Sequence, residues 1–142
     1  MITIEQYFSK PHIDQHTINA DVLLGHVNAL CAEAEADGVE RCVDPDTGTE
    51  ISGAKGGDGD GGFRTPGSRT GAPESSHKKA AGVDVCDPSN ALDRWIDLYE
   101  LPNGDNSKLK AYGLYREAPD ATPGWCHLTT RAPGSGRRTF RP

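Results

Sequence analysis

The sequence predicts an α+β fold, and three observations carry that prediction. A helix-length amphipathic stretch occupies residues 14–37. Short alternating runs bounded by turn residues fill much of the remainder, and their connections are of hairpin length. Gly (17) and Pro (10) together make 27 of 142 residues. That is roughly 19% against an average near 12%, so a large share of the chain must turn. Helices and short strands segregated in this way favour a small antiparallel sheet packed against helices. At this length the expectation is a single domain over 1–142.

The elements follow in order. Thr3-Ile4-Glu5-Gln6 reads as a capping box, and a short helix runs to about Phe8 before Pro11 ends it. The long helix starts near Asp14 and runs to about Asp37, with Gly38 as its stop. Ile18, Val22, Val27 and Leu30, with Leu23 and Ala34 beside them, are expected to form its apolar stripe. His16 and His26 lie ten residues apart on this helix, too poorly aligned to chelate one metal, and are placed at its surface or boundary.

Val39–Val43 alternates like a strand, Asp44–Gly48 has turn chemistry, and Thr49–Ile51 is expected to return as the partner strand. Six of the ten residues 53–62 are Gly, which predicts a flexible loop. Asp58 and Asp60 lie in it, without the further oxygen ligands that a calcium loop needs. Gly62–Pro66 ends the loop as a short strand or turn. Val83–Cys86 reads as a strand, and Asp87-Pro88 as the start of a helix to about Tyr99 with Leu92, Trp95, Ile96 and Tyr99 buried. A short helix is expected over 107–112 with Gly113 as its cap. Leu114–Glu117 and Trp125–Thr129 read as strands, and 136–140 as a last edge strand.

Composition excludes several classes of function. Fifteen Lys and Arg against 21 Asp and Glu give a net charge of −6. A duplex nucleic-acid binder needs a cationic face to displace counterions, and a polybasic membrane anchor needs clustered positive charge. Mean hydropathy is −0.63. No apolar run approaches the roughly 18–20 residues of a membrane span. The N-terminus lacks a basic stretch followed by an apolar one, so no signal peptide is expected. The four cysteines, Cys31, Cys42, Cys86 and Cys126, form no CxxC pair, and reduced, partly buried thiols are expected.

The chemistry concentrates in two places. In Ser75-Ser76-His77-Lys78-Lys79-Ala80-Ala81-Gly82-Val83-Asp84, a His precedes an Asp by seven residues across a turn of small residues. Far along the chain stands Trp125-Cys126-His127. Two imidazoles and a carboxylate make a three-ligand set with an open fourth position, the arrangement of catalytic zinc. Taken singly, a loop His or a strand Asp is more often structural. Cys86 would share a strand face with Asp84, whereas Cys126 would face away from His127; core packing is the expected role of both. Lys78, Lys79, Arg137 and Arg138 would give a local basic patch or ordinary solvated surface.

The combined order of Gly62-Phe63-Arg64-Thr65-Pro66, Ser75-x-His77, the small-residue turn, Asp84 and Trp125-x-His127 resembles the zinc D-alanyl-D-alanine carboxypeptidase family. That family includes phage endolysins that cut the peptide stems of peptidoglycan. The resemblance covers Gly62 to about Arg131, roughly half the chain. It implies a DD-peptidase/hedgehog-like sheet carrying zinc, held by His77, Asp84 and His127. It also implies that Arg64 grips a substrate carboxylate or carbonyl. A structural arginine clamping the glycine-rich loop is the competing role. Ser75 would fix the His77 turn and, with Trp125, border the substrate; Trp125 is first of all a core anchor.

Two departures stand out. Many members carry an acid three residues before the last His, where this chain has Gly124, and another two residues after it, where this chain has Thr129. Glu117, at the end of the strand expected to pair with that of His127, is the substitute general base; Glu74 and Asp120 are weaker candidates. The implied activity is zinc-dependent hydrolysis of peptidoglycan stems, of D-alanyl-D-alanine carboxypeptidase or L-alanyl-D-glutamate endopeptidase type. The alternative is a non-catalytic, zinc-stabilised cell-wall-binding or virion structural module. The expected setting is synthesis in a host cytoplasm and action as a monomer at the cell wall or in a virion, with a holin or virion components as partners.

Overall fold

The computed structural model describes residues 1–53, 57–72 and 74–142. Two N-terminal helices, α1 (Ile4–Tyr7) and α2 (Asp14–Ala36), precede strand β1 (Gly82–Cys86) and helix α3 (Ala91–Asp97). Helix α4 (Ser107–Ala111) and strands β2 (Tyr115–Glu117), β3 (Trp125–Thr129) and β4 (Thr139–Phe140) complete the order. The fold is α+β. Among the described residues no helix is long and apolar enough to cross a membrane.

The capping box forms: the Gln6 N–H donates to Thr3 Oγ1 at 3.2 Å, and the Thr3 N–H donates to Gln6 Oε1 at 3.1 Å. Helix α2 stops where expected, with Gly38 at φ +98°. Its buried stripe is Ala20, Leu23, Leu24, Val27, Leu30, Cys31 and Ala34. Ile18 and Val22, expected in that stripe, are 57% and 50% exposed. At about 100° per residue they fall roughly 180° and 140° around the helix from Val27, on its outer face.

The hairpin expected over 39–51 shrinks to one isolated bridge, Asp44 to Thr49. Residues 39–43 find no strand beside them among the described residues. The returning arm instead meets the edge of β1: Ile51 bridges Val85, the Cys86 N–H donates to the Glu50 carbonyl at 2.8 Å, and the Ser52 N–H to the Asp84 carbonyl at 2.8 Å.

The flexible loop expected over 53–62 lies in part, at 54–56, outside the described residues. Its remainder is tied down. Asp58 accepts from the Thr65 hydroxyl and from its N–H, and the Gly61 carbonyl accepts from the Asp84 N–H at 2.8 Å. A Cβ on Gly61 would come within 1.6 Å of the Ser52 carbonyl oxygen, so only glycine permits this close approach.

The sheet order is β1-β3-β2-β4. Strand β3 is antiparallel to both β1 and β2, with Asp84 opposite His127 and Arg116 opposite Leu128. Strand β4 runs parallel to β2, with Glu117 opposite Phe140, so the sheet is mixed and not wholly antiparallel as expected. Strand β3 ends beside the start of β2, and the following segment passes that same end of the sheet before β4 enters, so β4 runs in the direction of β2.

Alternation sorts the side chains. Val83, Val85, Cys126 and Leu128 enter the core with the stripe of α2. Cys126 thus faces away from His127, as expected. Asp84, His127 and Glu117 occupy the other parity.

The helix expected from Asp87 begins at Ala91, yet Asp87 still caps it, accepting from the N–H groups of Leu92 at 3.0 Å and Asp93 at 3.1 Å. Arg116, 1% exposed, fastens β2 to α3 by donating to the carbonyl and carboxylate of Asp93 at 2.9 and 3.1 Å.

Candidate metal centre

His77 sits in a 3₁₀ turn, Ser76–Lys79, whose entry is capped by Ser75: the His77 N–H donates to Ser75 Oγ at 3.3 Å. The turn closes through Ala80 in the left-handed region at φ +53°. Small residues are required here, because a Cβ on Gly82 would come within 2.1 Å of Ser76 Oγ and 3.1 Å of His127 Cε1. The Tyr7 hydroxyl of α1 donates to the Gly82 carbonyl at 2.7 Å and fixes the start of β1.

His77, Asp84 and His127 converge, with one ligand atom from each lying within 4.8 Å of the others. Asp84 Oδ1 is 2.7 Å from His127 Nδ1 and 3.4 Å from His77 Nε2. All three residues are buried. The outer nitrogen of each ring is engaged elsewhere. His77 Nδ1 lies 2.9 Å from the Gly62 carbonyl, and His127 Nε2 lies 3.3 Å from Ser76 Oγ. A carbonyl only accepts, so His77 carries a proton on Nδ1, which leaves Nε2, the atom that faces Asp84, as the one that would bind a metal. Orientation through the outer nitrogen is characteristic of metal-ligating histidines. Tetrahedral bonds of about 2.0–2.1 Å set neighbouring ligand atoms roughly 3.3 Å apart, close to the separation seen for His77 and Asp84. The donor set of two imidazoles and one carboxylate fits a divalent metal ion.

Burial by itself would raise the Asp84 carboxyl. The charge of His77 and the hydrogen bonds from His127 and His77 outweigh it and hold Asp84 well below the usual carboxylate range. The site is therefore built to keep this oxygen anionic, the form in which a carboxylate binds metal.

The register of β2 with β3 runs Tyr115 to Thr129 and Arg116 to Leu128, and its continuation sets Glu117 opposite His127. Asp84, His127 and Glu117 thus form a row across three adjacent strands on one face. The Glu117 carboxylate makes no hydrogen bond or ion pair among the described residues. Burial raises its pKa, His127 and His77 pull it back, and Asp84 pushes it up.

Glu117, Arg64, Ser75 and Trp125 border the same cavity of about 570 Å³ as the three converging groups, and Trp125, expected first as a core anchor, is half-buried at its wall and outside the core. Glu74 borders it too, exposed and engaged with Arg131, whereas Asp120 pairs with Arg141. Three residues before His127, Gly124 adopts φ +98°, a conformation that a side chain there would strain.

Arg64 lies beneath the cavity, 8% exposed. It donates to the carbonyl and carboxylate of Asp60 and stands 3.8 Å from Asp84 Oδ2. It therefore clamps the glycine-rich segment and faces the centre at once.

Sequence reasoning missed Ser76, and it expected the edge strand over 136–140 without bringing it to the site. Phe140 and Pro142 line the cavity, and the Phe140 ring meets His127 edge-on at 6.3 Å between centroids. Pairing of a two-residue strand leaves little periodic signal. Of the four cations read as a local basic patch or as solvated surface, two make internal contacts. Lys78 is buried and donates to the Ser68 carbonyl at 2.7 Å, and Arg138 covers the Tyr115 ring at 4.2 Å.

Comparison of the chain with protein-family models, with curated proteins and with solved structures finds no match in any of the three.

Proposed function

We propose that this protein is a zinc-dependent peptidase that cuts the peptide stems of bacterial peptidoglycan in the manner of a phage endolysin. The observation that carries the reading is the row Asp84, His127, Glu117 with His77 beside it, at the wall of a cavity large enough for a short peptide. The order of motifs from Arg64 to His127, which resembles the zinc D-alanyl-D-alanine carboxypeptidases, supports the choice of substrate. Either the D-alanyl-D-alanine or the L-alanyl-D-glutamate bond is the target.

His77 Nε2, Asp84 Oδ1 and His127 Nδ1 are the atoms that would hold zinc. When bound, zinc supplies Lewis acidity, which acidifies water and polarises a carbonyl. Glu117, half-buried on the same face and without a hydrogen bond or ion pair among the described residues, takes the proton of the attacking water and returns it to the leaving amine. Its raised pKa suits a group that must first accept and then donate. Arg64 offers its remaining guanidinium N–H groups to a substrate carboxylate or to the developing oxyanion. Asp60 holds that guanidinium in place, so little reorganisation is needed.

The test is elemental analysis of the purified protein together with a muropeptide digest. The expected result is one zinc per chain and new peptide termini, with turnover lost on chelation and restored by zinc. Stoichiometric zinc without any cleavage of purified sacculi would leave a metal-stabilised wall-binding module instead. Absence of bound metal would remove the hydrolase reading altogether.

A further inference from the structure

Two of the four cysteines, Cys31 and Cys126, are buried in the core, whereas Cys42 and Cys86 are half-buried. The Sγ atoms of Cys42 and Cys86 are in direct contact at 2.6 Å. The backbone on both sides of this contact is held in place. The Cys86 N–H donates to the Glu50 carbonyl, Ile51 bridges Val85, and Arg41, next to Cys42, is ion-paired with Glu50. The two sulfurs therefore meet because three neighbouring contacts hold the 39–52 segment against β1, and joining them requires little movement of the chain.

We propose that Cys42 and Cys86 are a disulfide-forming pair that fastens the 39–52 segment to the edge of β1 once the protein meets an oxidising environment. The oxidant is a small-molecule disulfide such as oxidised glutathione. One protein thiolate attacks a sulfur of that disulfide, its S–S bond breaks, and one glutathione thiol leaves. The second protein thiolate then attacks the mixed disulfide, forms the protein S–S bond and releases the second glutathione thiol. Two electrons pass from the protein to the oxidant, and the two thiol protons end on the two released thiols.

The bridge spans 44 residues of chain, and cross-links that close long loops constrain the unfolded state most. It also secures the strand that carries Asp84, because the segment it ties down includes Ser52, whose N–H donates to the Asp84 carbonyl. The inference does not depend on the metal centre or on any hydrolytic activity. It suits a protein that leaves the reducing cytoplasm.

The experiment uses the full chain, reduced, freed of reductant and incubated folded with oxidised glutathione. The expected outcome is loss of two titratable thiols, a mass decrease of two hydrogens, and a peptide map that joins Cys42 to Cys86. A rise in Tm on the order of 10 °C, reversed by dithiothreitol, should accompany it. The Cys42→Ser and Cys86→Ser variants should each show no such rise. A stable glutathione adduct on the wild-type chain, four thiols remaining, or a bridge mapped to another pair would overturn the proposal.

Discussion

Asp84 Oδ1 and His127 Nδ1 lie 2.7 Å apart, between register partners on adjacent antiparallel strands. The contact is thus set by backbone pairing and does not rely on a flexible loop. Its pH consequence follows from the depressed Asp84 carboxyl. Burial opposes ionisation there and is outweighed by His77 and by the imidazole hydrogen bonds. A folded pKa below the unfolded value near 3.9 contributes stability that is present above about pH 4 and is lost as pH falls through the folded value. The metal-free protein should therefore weaken steeply in urea below about pH 4. Asp84→Asn should flatten that acid limb. Superimposable urea-midpoint profiles for the two proteins between pH 7 and pH 2 would contradict the assignment.

Glu117 is the residue whose replacement should separate chemistry from binding. Glu117→Gln keeps the shape and removes the base, so turnover on muropeptides should fall by about 10²- to 10⁴-fold while zinc content stays at the wild-type level. The same substitution should slightly raise the Tm of the metal-free protein at pH 7. A buried carboxyl with a raised pKa favours the folded state below its unfolded pKa and penalises it as pH rises through the folded one. Glutamine carries no such penalty. Retained turnover in Glu117→Gln would reject the role.

The sequence made much of this legible, and the limits are physical. His77, Asp84 and His127 were readable through the order of motifs from Arg64 to His127 and its resemblance to a zinc peptidase family, since singly each residue reads as structural. Glu117 was readable because hairpin pairing puts it beside His127. Ser76 was not, since a residue within a 3₁₀ turn has no alternation to show which way its hydroxyl points. The parallel pairing of β4 was not, because two residues carry no register signal and the pairing depends on the path of the preceding loop. Ile18 and Val22 misled because apolar residues do occur singly at surfaces, and only the helical angle separates them from the buried stripe. The segment 39–43 misled because alternation marks a half-buried chain and does not guarantee a neighbouring strand.

Ser76 and Gly82 should act on the centre through His127. The Ser76 hydroxyl is 3.3 Å from His127 Nε2, and Gly82 leaves the space that this hydroxyl occupies. Loss of such a supporting partner commonly costs about 10–100-fold in metal affinity. Ser76→Ala should therefore weaken zinc binding by roughly tenfold without changing the Tm of the metal-free protein. Gly82→Ala should do worse, because its Cβ would displace Ser76 and press on the His127 ring. Competition with a chromophoric chelator measures both, and wild-type affinity in Ser76→Ala would remove the hydroxyl from the centre.

Arg116 supports the site from behind. It is adjacent to Glu117 but points to the opposite face, where it and Asp93 are each 1% exposed. Nη1 donates to the Asp93 carbonyl and carboxylate, Nη2 to Asp97 and Glu100, and Nε to Thr139 Oγ1 of β4 at 3.0 Å. One side chain thus ties β2 to α3 and to the tail strand that brings Phe140 over His127. Removing one partner of a buried ion pair leaves the other charge uncompensated, at a cost of about 3–5 kcal/mol. Arg116→Met should show that loss in urea unfolding at pH 7. Burial already raises the Asp93 carboxyl, and without Arg116 it should rise further, so the loss should shrink at acid pH as Asp93 takes up a proton. Arg116→Met combined with Asp93→Asn should recover part of the stability at pH 7, because no buried charge is then left alone. A double variant no more stable than Arg116→Met, with a loss that does not depend on pH, would show that packing and not charge is what Arg116 supplies.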